Sequence, residues 1–429
     1  MRAGHHPSSE NPVMDHQIVI DGAPYAARKG FYHGTQRTAP PERTLARIWQ
    51  AAPTVGLTRL SDITGLDRIG IPTVVGHRPN APTLATSGGK GFTTIAATVS
   101  AGMEAVEIWH AENVRRPVTM APFAELHSAG LTIEPTSLSL TKHSLFNPAR
   151  PEPWVQGWDI VAGREVMVPY AAVSMGIGGG VRAFDPPARW MPFATGSNGL
   201  AGGNHILESV AAGLYEVCER DAVACTRAAT GFGERVDLDS ITDPLVRSLV
   251  AQYDDAGIST YLFDNTVDTL IPTYSAVVAD RIDATMGLYR GYGAHLDPAI
   301  AMIRALTEAA QARLLLIAGS RDDYFSRDQR LNRFSGDARV ANIDALPATA
   351  DAGRYESGAT DSFGADIATV LARLAAVDLD SVIVVDLTDP DLQIPVARVI
   401  VPGLEGYMFD HYAPGPRARA HRARATAAA

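Results

Sequence analysis

Three short stretches carry carboxylates at spacings that a helix would bring onto one face. In SAGMEAVE, Ser100, Glu104 and Glu107 lie four and three residues apart, so at about 100° per residue they share a face. Around ESVAAGLYEVCERD, Asn204, Glu208 and Glu219 fall within about 60° of arc, with Glu216 about 80° to one side of Glu208. In RALTEAAQ, Arg304, Glu308 and Gln311 repeat the four-and-three spacing. Each row alone is what a solvated helix face looks like. Two features argue for chemistry instead. The neighbouring residues are small and apolar, and no lysine stands four residues away to form the usual helix ion pair. Carboxylates gathered in this way call for a cation. Mg2+ takes oxygen ligands and usually bridges to substrate phosphates. With Arg220, Arg304 and Asn204 close by, the set suits a nucleoside triphosphate held through metal ions.

The elements that must position these groups are long and periodic. TIAATVSAGMEAVEIWHAENV, HILESVAAGLYEVCERDAVACTR and DPAIAMIRALTEAAQARLLLIAG read as helices rich in good helix formers. On the second, Ile206, Val210, Leu214 and Val217 form the apolar stripe opposite the carboxylates. WDIVAGREVMVPYAAV reads as two strands joined by a tight turn at Ala162 and Gly163. DSVIVVDLT and VARVIVPG read as buried strands. The expected fold class is therefore α/β. Residues 1 to about 40 read as a loose extension with one short strand at HQIVIDG, and the tail APGPRARAHRARATAAA as disordered.

Composition bounds the rest. The chain has 429 residues, a formal charge of −10 and 46% hydrophobic residues, enough for a substantial core. The acidity argues against a nucleic-acid binder. No apolar run approaches the ~20 residues that span a bilayer, and the polar N-terminus is not a signal peptide. The only cysteines, Cys218 and Cys225, would lie about 10 Å apart along a helix, too far to bridge, which fits a reducing cytoplasm. The familiar nucleotide loop G-x-x-x-x-G-K-[ST] is missing. GIGGG at 176–180 reads as a turn. SGGKG at 87–91 precedes a helix and reads equally as a phosphate-approaching loop carrying Lys90 or as a plain loop-to-helix joint. Histidine and cysteine spacings give no zinc site, His110 and His205 read as packed or surface residues, and no G-x-S-x-G elbow is present.

GLTRLSDITGLDRIGIPTVVGHRPN, GKGFTTIAATVSAGMEAVEIWHAE, GLAGGNHILESVAAGLYEVCERDA, RALTEAAQARLLLIAGSRDD and VPGLE follow one another in order. This succession closely resembles the YcaO family over roughly residues 45 to 415. The resemblance implies a YcaO-type α/β fold, with mixed sheets and long helices lining an ATP cleft. It divides the chain into an N-terminal extension at 1–44, a catalytic domain at 45–415 and a basic tail at 416–429. It implies ATP and Mg2+ as cofactors and phosphorylation of a peptide-backbone amide oxygen, attack by a nucleophile, and loss of phosphate. By match to the family pattern, Glu104, Glu107, Glu208, Glu216 and Glu219 would hold magnesium. Ser100, Asn204, Arg220, Arg304 and Glu308 would contact the nucleotide or its phosphates, with Arg220, Arg304 and Glu308 at the reacting phosphoryl group. Lys90 and Arg321 are further carry-overs on the nucleotide side. Leu207 stands where the family often has Gln.

A side-chain nucleophile would give an azoline, a backbone nitrogen an amidine, and external sulfide a thioamide. The tail has a single P-x-P at 414–416 where many azoline-forming members carry P-x-P-x-P, and only about 45 residues precede the catalytic part, too few for a fused leader-binding domain. Both features point to thioamide formation on a substrate peptide or protein, with a TfuA-like partner delivering sulfur. The alternatives are an azoline-forming cyclodehydratase and a non-catalytic nucleotide-binding scaffold. Neither nucleic acid nor membrane is expected as a partner, and a homodimer fits the family.

Overall fold

The structure, a computed structural model, describes residues 16–32, 34–138, 140–141, 144–175, 193, 196–319, 336–406 and 413–428. The chain begins with two small hairpins, β1 (Ile18–Ile20) with β2 (Ala23–Tyr25), and β3 (Gly30–Phe31) with β4 (Gln36–Arg37). Helix α1 (Pro41–Val55) follows, started by a proline in the first turn and ended at Gly56, whose φ of 74° only glycine adopts freely. A three-stranded antiparallel sheet comes next: β5 (Arg59–Asp62), β6 (Thr73–His77) and β7 (Thr86–Lys90). It leads into α2 (Thr94–Glu112).

Two larger sheets frame the rest. The six-stranded sheet is built from β8 (Val118–Pro122), β9 (Pro151–Asp159), β10 (Arg164–Pro169), β11 (Leu200–Gly202), β17 (Ile383–Asp386) and β18 (Val396–Ile400). Its order is β10-β9-β17-β18-β11, with β8 also beside β9. The five-stranded sheet has the order β15-β14-β13-β12-β16, from β12 (Glu234–Val236), β13 (Ile258–Asp264), β14 (Thr273–Asp280), β15 (Leu288–Ala294) and β16 (Ala348–Ala350). Helices α3 (Phe123–Ser128), α4 (Ile206–Ala229), α5 (Pro244–Asp255), α6 (Pro298–Ala318), α7 (Gly336–Asp344), α8 (Phe363–Ala375) and α9 (Pro416–Ala428) complete the described elements. The expected α/β class with mixed sheets and long helices is what forms. Among the described residues no helix is long and apolar enough to cross a membrane.

The three helices expected from periodicity are α2, α4 and α6, and each has a local reason to begin where it does. Thr93 caps α2 by accepting from Ala96 N at 3.3 Å, and Asp297 caps α6 by accepting from Ala299 N at 2.9 Å. His205 caps α4, its Nδ1 accepting from Leu207 N at 3.2 Å. Helix α4 buries the expected stripe, with Val210 and Leu214 at 0% and 1% exposure against Val384 and Val399 of the six-stranded sheet. Tyr274 and Leu262 of the five-stranded sheet pack with Leu306 and Ala309 of α6.

Helices α2 and α6 lie almost in backbone contact with edge strands. A Cβ on Gly89 of β7 would stand 2.1 Å from Ala101 N and 2.2 Å from Ala97 O of α2. On Gly291 and Gly293 of β15 it would stand 2.1 Å from the carbonyls of Ala305 and Ala301 of α6, respectively. These approaches admit only glycine. They explain SGGKG, whose first four residues belong to strand β7 and form no loop; Lys90 ends that strand. The stretch 176–180 lies outside the described residues.

Both chain ends differ from expectation. The extension is folded from residue 16 onward, and the boundary expected at 44/45 falls inside α1. Lys29 forms a buried ion pair with Asp366 of α8 at 2.5 Å. The tail expected to be disordered is helix α9, packed on α4. Alanine and arginine are strong helix formers, and Pro416 stands at its first residue. An ion pair and a side-chain cap hold it, features that composition does not reveal.

Candidate functional site

Edge strands of three sheets meet the three long helices at one place, and the predicted carboxylates gather there. From α2, Glu104 accepts a hydrogen bond from Gly88 N of β7 at 3.0 Å, and Glu107 accepts one from Gly202 N of β11 at 2.7 Å. From α4, Glu219 pairs with Arg220 at 3.4 Å and Glu216 lies 3.9 Å from the same guanidinium. Arg220 also sits 5.9 Å over the ring of Tyr292 on β15. From α6, Glu308 forms an ion pair with Lys90 of β7. Electrostatic influence runs across the set: Glu216 acts on Glu107, while Glu308 and Arg304 act on Glu219.

Glu208 is placed differently from the others. It is 2% exposed, and its Oε2 accepts from both Thr38 N at 2.9 Å and Thr38 Oγ1 at 2.7 Å. Its Oε1 accepts from Asn204 Nδ2 at 3.5 Å and lies 3.5 Å from Arg37 Nε. Asn204 in turn accepts from Thr44 Oγ1 at 3.0 Å. The segment expected to be a loose extension therefore supplies Arg37, Thr38 and Thr44 to the site. Nothing in the sequence pointed to them, because the Thr38–Glu208 contact spans 170 residues. Ser100 lies half-buried one turn before Glu104, and its hydroxyl makes no hydrogen bond among the described residues. Arg321 lies outside them.

The carboxylates are not without basic partners, contrary to the sequence expectation. Arg220 stands four residues after Glu216, and Arg37, Lys90 and Arg304 arrive from other elements. Among the described residues six carboxylates, Glu104, Glu107, Glu208, Glu216, Glu219 and Glu308, face these four cations and Arg47, which acts on Glu208, a formal excess of one negative charge. Protons relieve part of it. Burial, reinforced by Glu104 and Glu216, pushes the Glu107 carboxyl up to about 8 from its ordinary 4.5. Burial also raises Glu219, against the pull of Arg220. Glu308 goes the other way: against burial, Lys90, Arg220 and Arg304 hold it below its ordinary value.

These features fit a metal-bound phosphate. Protons stand on Glu107 where a cation would be more effective. The Nε–H of Arg304 is buried with no hydrogen-bond partner among the described residues, a donor suited to a phosphate oxygen. Among the described residues no three carboxylate, histidine or cysteine side chains are placed to hold one metal ion. One or two carboxylates with phosphate oxygens would need no rearrangement, whereas a site with three protein carboxylates requires side-chain rotation. Glu104, Glu107 and Glu216 are only half-buried and have room for it.

A pH dependence follows from Glu107. Between pH 4.5 and about 8 the folded protein holds a proton that the unfolded chain has released. Metal-free stability therefore falls as pH rises through that window, by up to about 1.4 kcal/mol per pH unit for one proton, and levels off above it. Urea unfolding with chelator at several pH values should show this decline in the wild type and a shallower one in Glu107→Gln.

Several known proteins are similar to this chain. The model of a family described as YcaO cyclodehydratase, ATP- and Mg2+-binding, matches residues 88–405. An uncharacterised protein of Methanothermobacter thermautotrophicus is 36% identical over 396 residues, covering 88% of this chain and 97% of the relative. An uncharacterised protein from the tfuA 3′ region of Rhizobium leguminosarum bv. trifolii is 34% identical over 388 residues, covering 87% and 89%. Among solved structures, YcaO from Methanopyrus kandleri bound with AMPPCP and Mg2+ aligns with a TM-score of 0.69 at 24% identity, covering 92% of this chain and 96% of that one. A heterocyclase in complex with substrate and cofactor aligns with a TM-score of 0.73 at 23% identity over 89% of this chain, which spans about half, 54%, of that protein. At these identities the two structures establish likeness of fold.

Proposed function

The chain belongs to the YcaO family, and we propose that it is an ATP-dependent enzyme that exchanges a peptide-backbone amide oxygen for sulfur. The observation that carries the ATP-dependent part is the gathering of six carboxylates and their cations where three sheet edges meet, with the Arg304 Nε–H buried and unpartnered among the described residues. In this reading Glu104, Glu107, Glu208, Glu216 and Glu219 hold Mg2+. Bound there, Mg2+ neutralises charge on the triphosphate and on the transferring phosphoryl group. Ser100, Asn204 and Lys90 bind the nucleotide. Arg220 and Arg304 donate to the phosphoryl oxygens, and Glu308 orients Lys90 between them.

An amide is a poor electrophile because its nitrogen lone pair is delocalised into the carbonyl, and its oxygen is also a poor leaving group. Phosphorylation by ATP releases ADP and converts that oxygen into part of a phosphate ester. Attack of sulfide at the carbon and departure of inorganic phosphate, carrying the original amide oxygen, leave a thioamide.

One observation favours sulfur as the incoming atom, and a second bears on its source. The Rhizobium relative is described by its place 3′ of tfuA, which supports a TfuA-like sulfur-delivery partner. In addition, Cys218 and Cys225 are 1% and 0% exposed, and burial pushes both thiols well up. Neither is a usable thiolate, so sulfur must come from outside this chain. The second reading is azoline formation on a peptide Cys, Ser or Thr, favoured by the family description and the likeness to a heterocyclase.

Mass spectrometry separates them. With ATP, Mg2+, a sulfide source and its peptide, a thioamide former yields a mass gain of about 16 Da for one oxygen-to-sulfur exchange. It does so on peptides lacking Cys, Ser and Thr near the site. Loss of one water that depends on those residues establishes the azoline reading instead. Absence of ATP turnover with any peptide would leave a nucleotide-binding scaffold.

A further inference from the structure

The VPGLE stretch and the basic C-terminal segment have no part in the chemistry above, yet the structure joins them to α4. Glu405, 5% exposed, accepts hydrogen bonds from Gly415 N at 2.7 Å and Ala418 N at 3.0 Å, and so caps the start of α9. Arg417, in the first turn, grips Asp221 of α4 with two nitrogens. Its Nε lies 3.0 Å from Oδ1, and its Nη2 lies 2.9 Å from Oδ2. Nη2 also donates to Asp268 at 2.6 Å. Asp221 is 0% exposed, and its Oδ1 further accepts the Glu405 N–H at 2.9 Å. Asp221 directly follows Glu219 and Arg220. One turn of α4 therefore presents those two residues to the charged cleft and Asp221 to α9.

We propose that Arg417 is a positioning residue for the nucleotide site: its two-pronged grip on Asp221 fixes the roll and height of the α4 turn that carries Glu216, Glu219 and Arg220. The proposal deepens the ATP reading and rests on it. A bidentate guanidinium–carboxylate pair specifies orientation as well as distance. A wholly buried carboxylate deprived of its arginine either takes up a proton or turns toward water, and in both cases the pair that fixed its helix turn is lost. Groups that bind a metal–phosphate complex tolerate displacements of only about 0.5 Å or 10–20°. Coupling between sites is reciprocal, so Mg·ATP bound on one face of α4 must tighten α9 on the other.

The test uses the full chain as wild type, Arg417→Ala, Arg417→Lys and, as a control on the exposed side of α9, Arg422→Ala. Mg·ATP binding is measured by calorimetry well below each melting temperature, where lowered global stability leaves the affinity of the folded protein unchanged. Hydrogen exchange of the α9 amides is followed with and without Mg·ATP. The expected result is at least a tenfold weaker affinity in Arg417→Ala, an intermediate value in Arg417→Lys and no change in Arg422→Ala. In the wild type, Mg·ATP slows α9 exchange several-fold. Wild-type affinity in both folded Arg417 variants, or wild-type α9 exchange indifferent to bound Mg·ATP, overturns the proposal. Failure of the wild type itself to bind Mg·ATP overturns the nucleotide reading beneath it, and shows before any variant is compared. Should Arg417→Ala not fold, Arg417→Lys and the wild-type exchange experiment decide the matter.

Discussion

Glu219→Gln is expected to lower ATP turnover by a factor of about 10²–10³, the scale of losing one group aimed at the reacting centre, while the metal-free protein stays as stable as the wild type. Glu219 is 2% exposed and its charge is opposed by burial, so the neutral amide removes an unfavourable charge from the resting site. Arg220 keeps Glu216 and Glu308 as counter-charges. Glu208→Gln should behave differently, although the sequence makes the two residues look alike. Its carboxylate accepts two hydrogen bonds from Thr38 and faces Arg37, so weakening it loosens the N-terminal segment as well. A stability loss of about 1.5–3 kcal/mol is expected there, the range for hydrogen bonds to a charged group. Phosphate release and thermal unfolding on both variants check the contrast. Undiminished turnover in Glu219→Gln would make the α4 carboxylates an ordinary helix face.

What could be read from the sequence was what helical periodicity controls. The rows on α2, α4 and α6 follow from 3.6 residues per turn. Which groups face those rows depends on tertiary approach, and no local spacing encodes it. Arg37 and Lys90 reach the glutamates from strands distant in sequence, so the expectation of unpartnered carboxylates was overturned. SGGKG was open to two readings, loop or joint, because glycine there answers to a helix backbone 2.1 Å from where a Cβ would be, a close approach that composition presents as flexibility. The C-terminal segment has no apolar stripe, and its helix is seated by Arg417 and Glu405. A helix docked by charge in this way carries no hydrophobic period to find.

ATP affinity is expected to collapse when Mg2+ is chelated, by a factor of about 10²–10³. The triphosphate enters among six carboxylates, and those that keep their charge repel it at short range. A like-charge contact at ~4 Å and an effective dielectric near 20 costs about 4 kcal/mol before screening. Arg220, Arg304 and Lys90 offset part of this, and a remaining 3–4 kcal/mol corresponds to the stated factor, since about 1.4 kcal/mol is tenfold. The proton on Glu107 sharpens the expectation. At pH 7 a carboxyl titrating at about 8 is mostly protonated, and a metal must displace that proton in order to bind. Calorimetry of Mg·ATP binding in buffers of different ionisation enthalpy should therefore show proton release at pH 7, diminished at pH 9 and diminished in Glu107→Gln. Equal ATP affinity with and without chelator would mean that the arginines and Lys90 alone receive the phosphates, and the glutamates would then have no metal to hold.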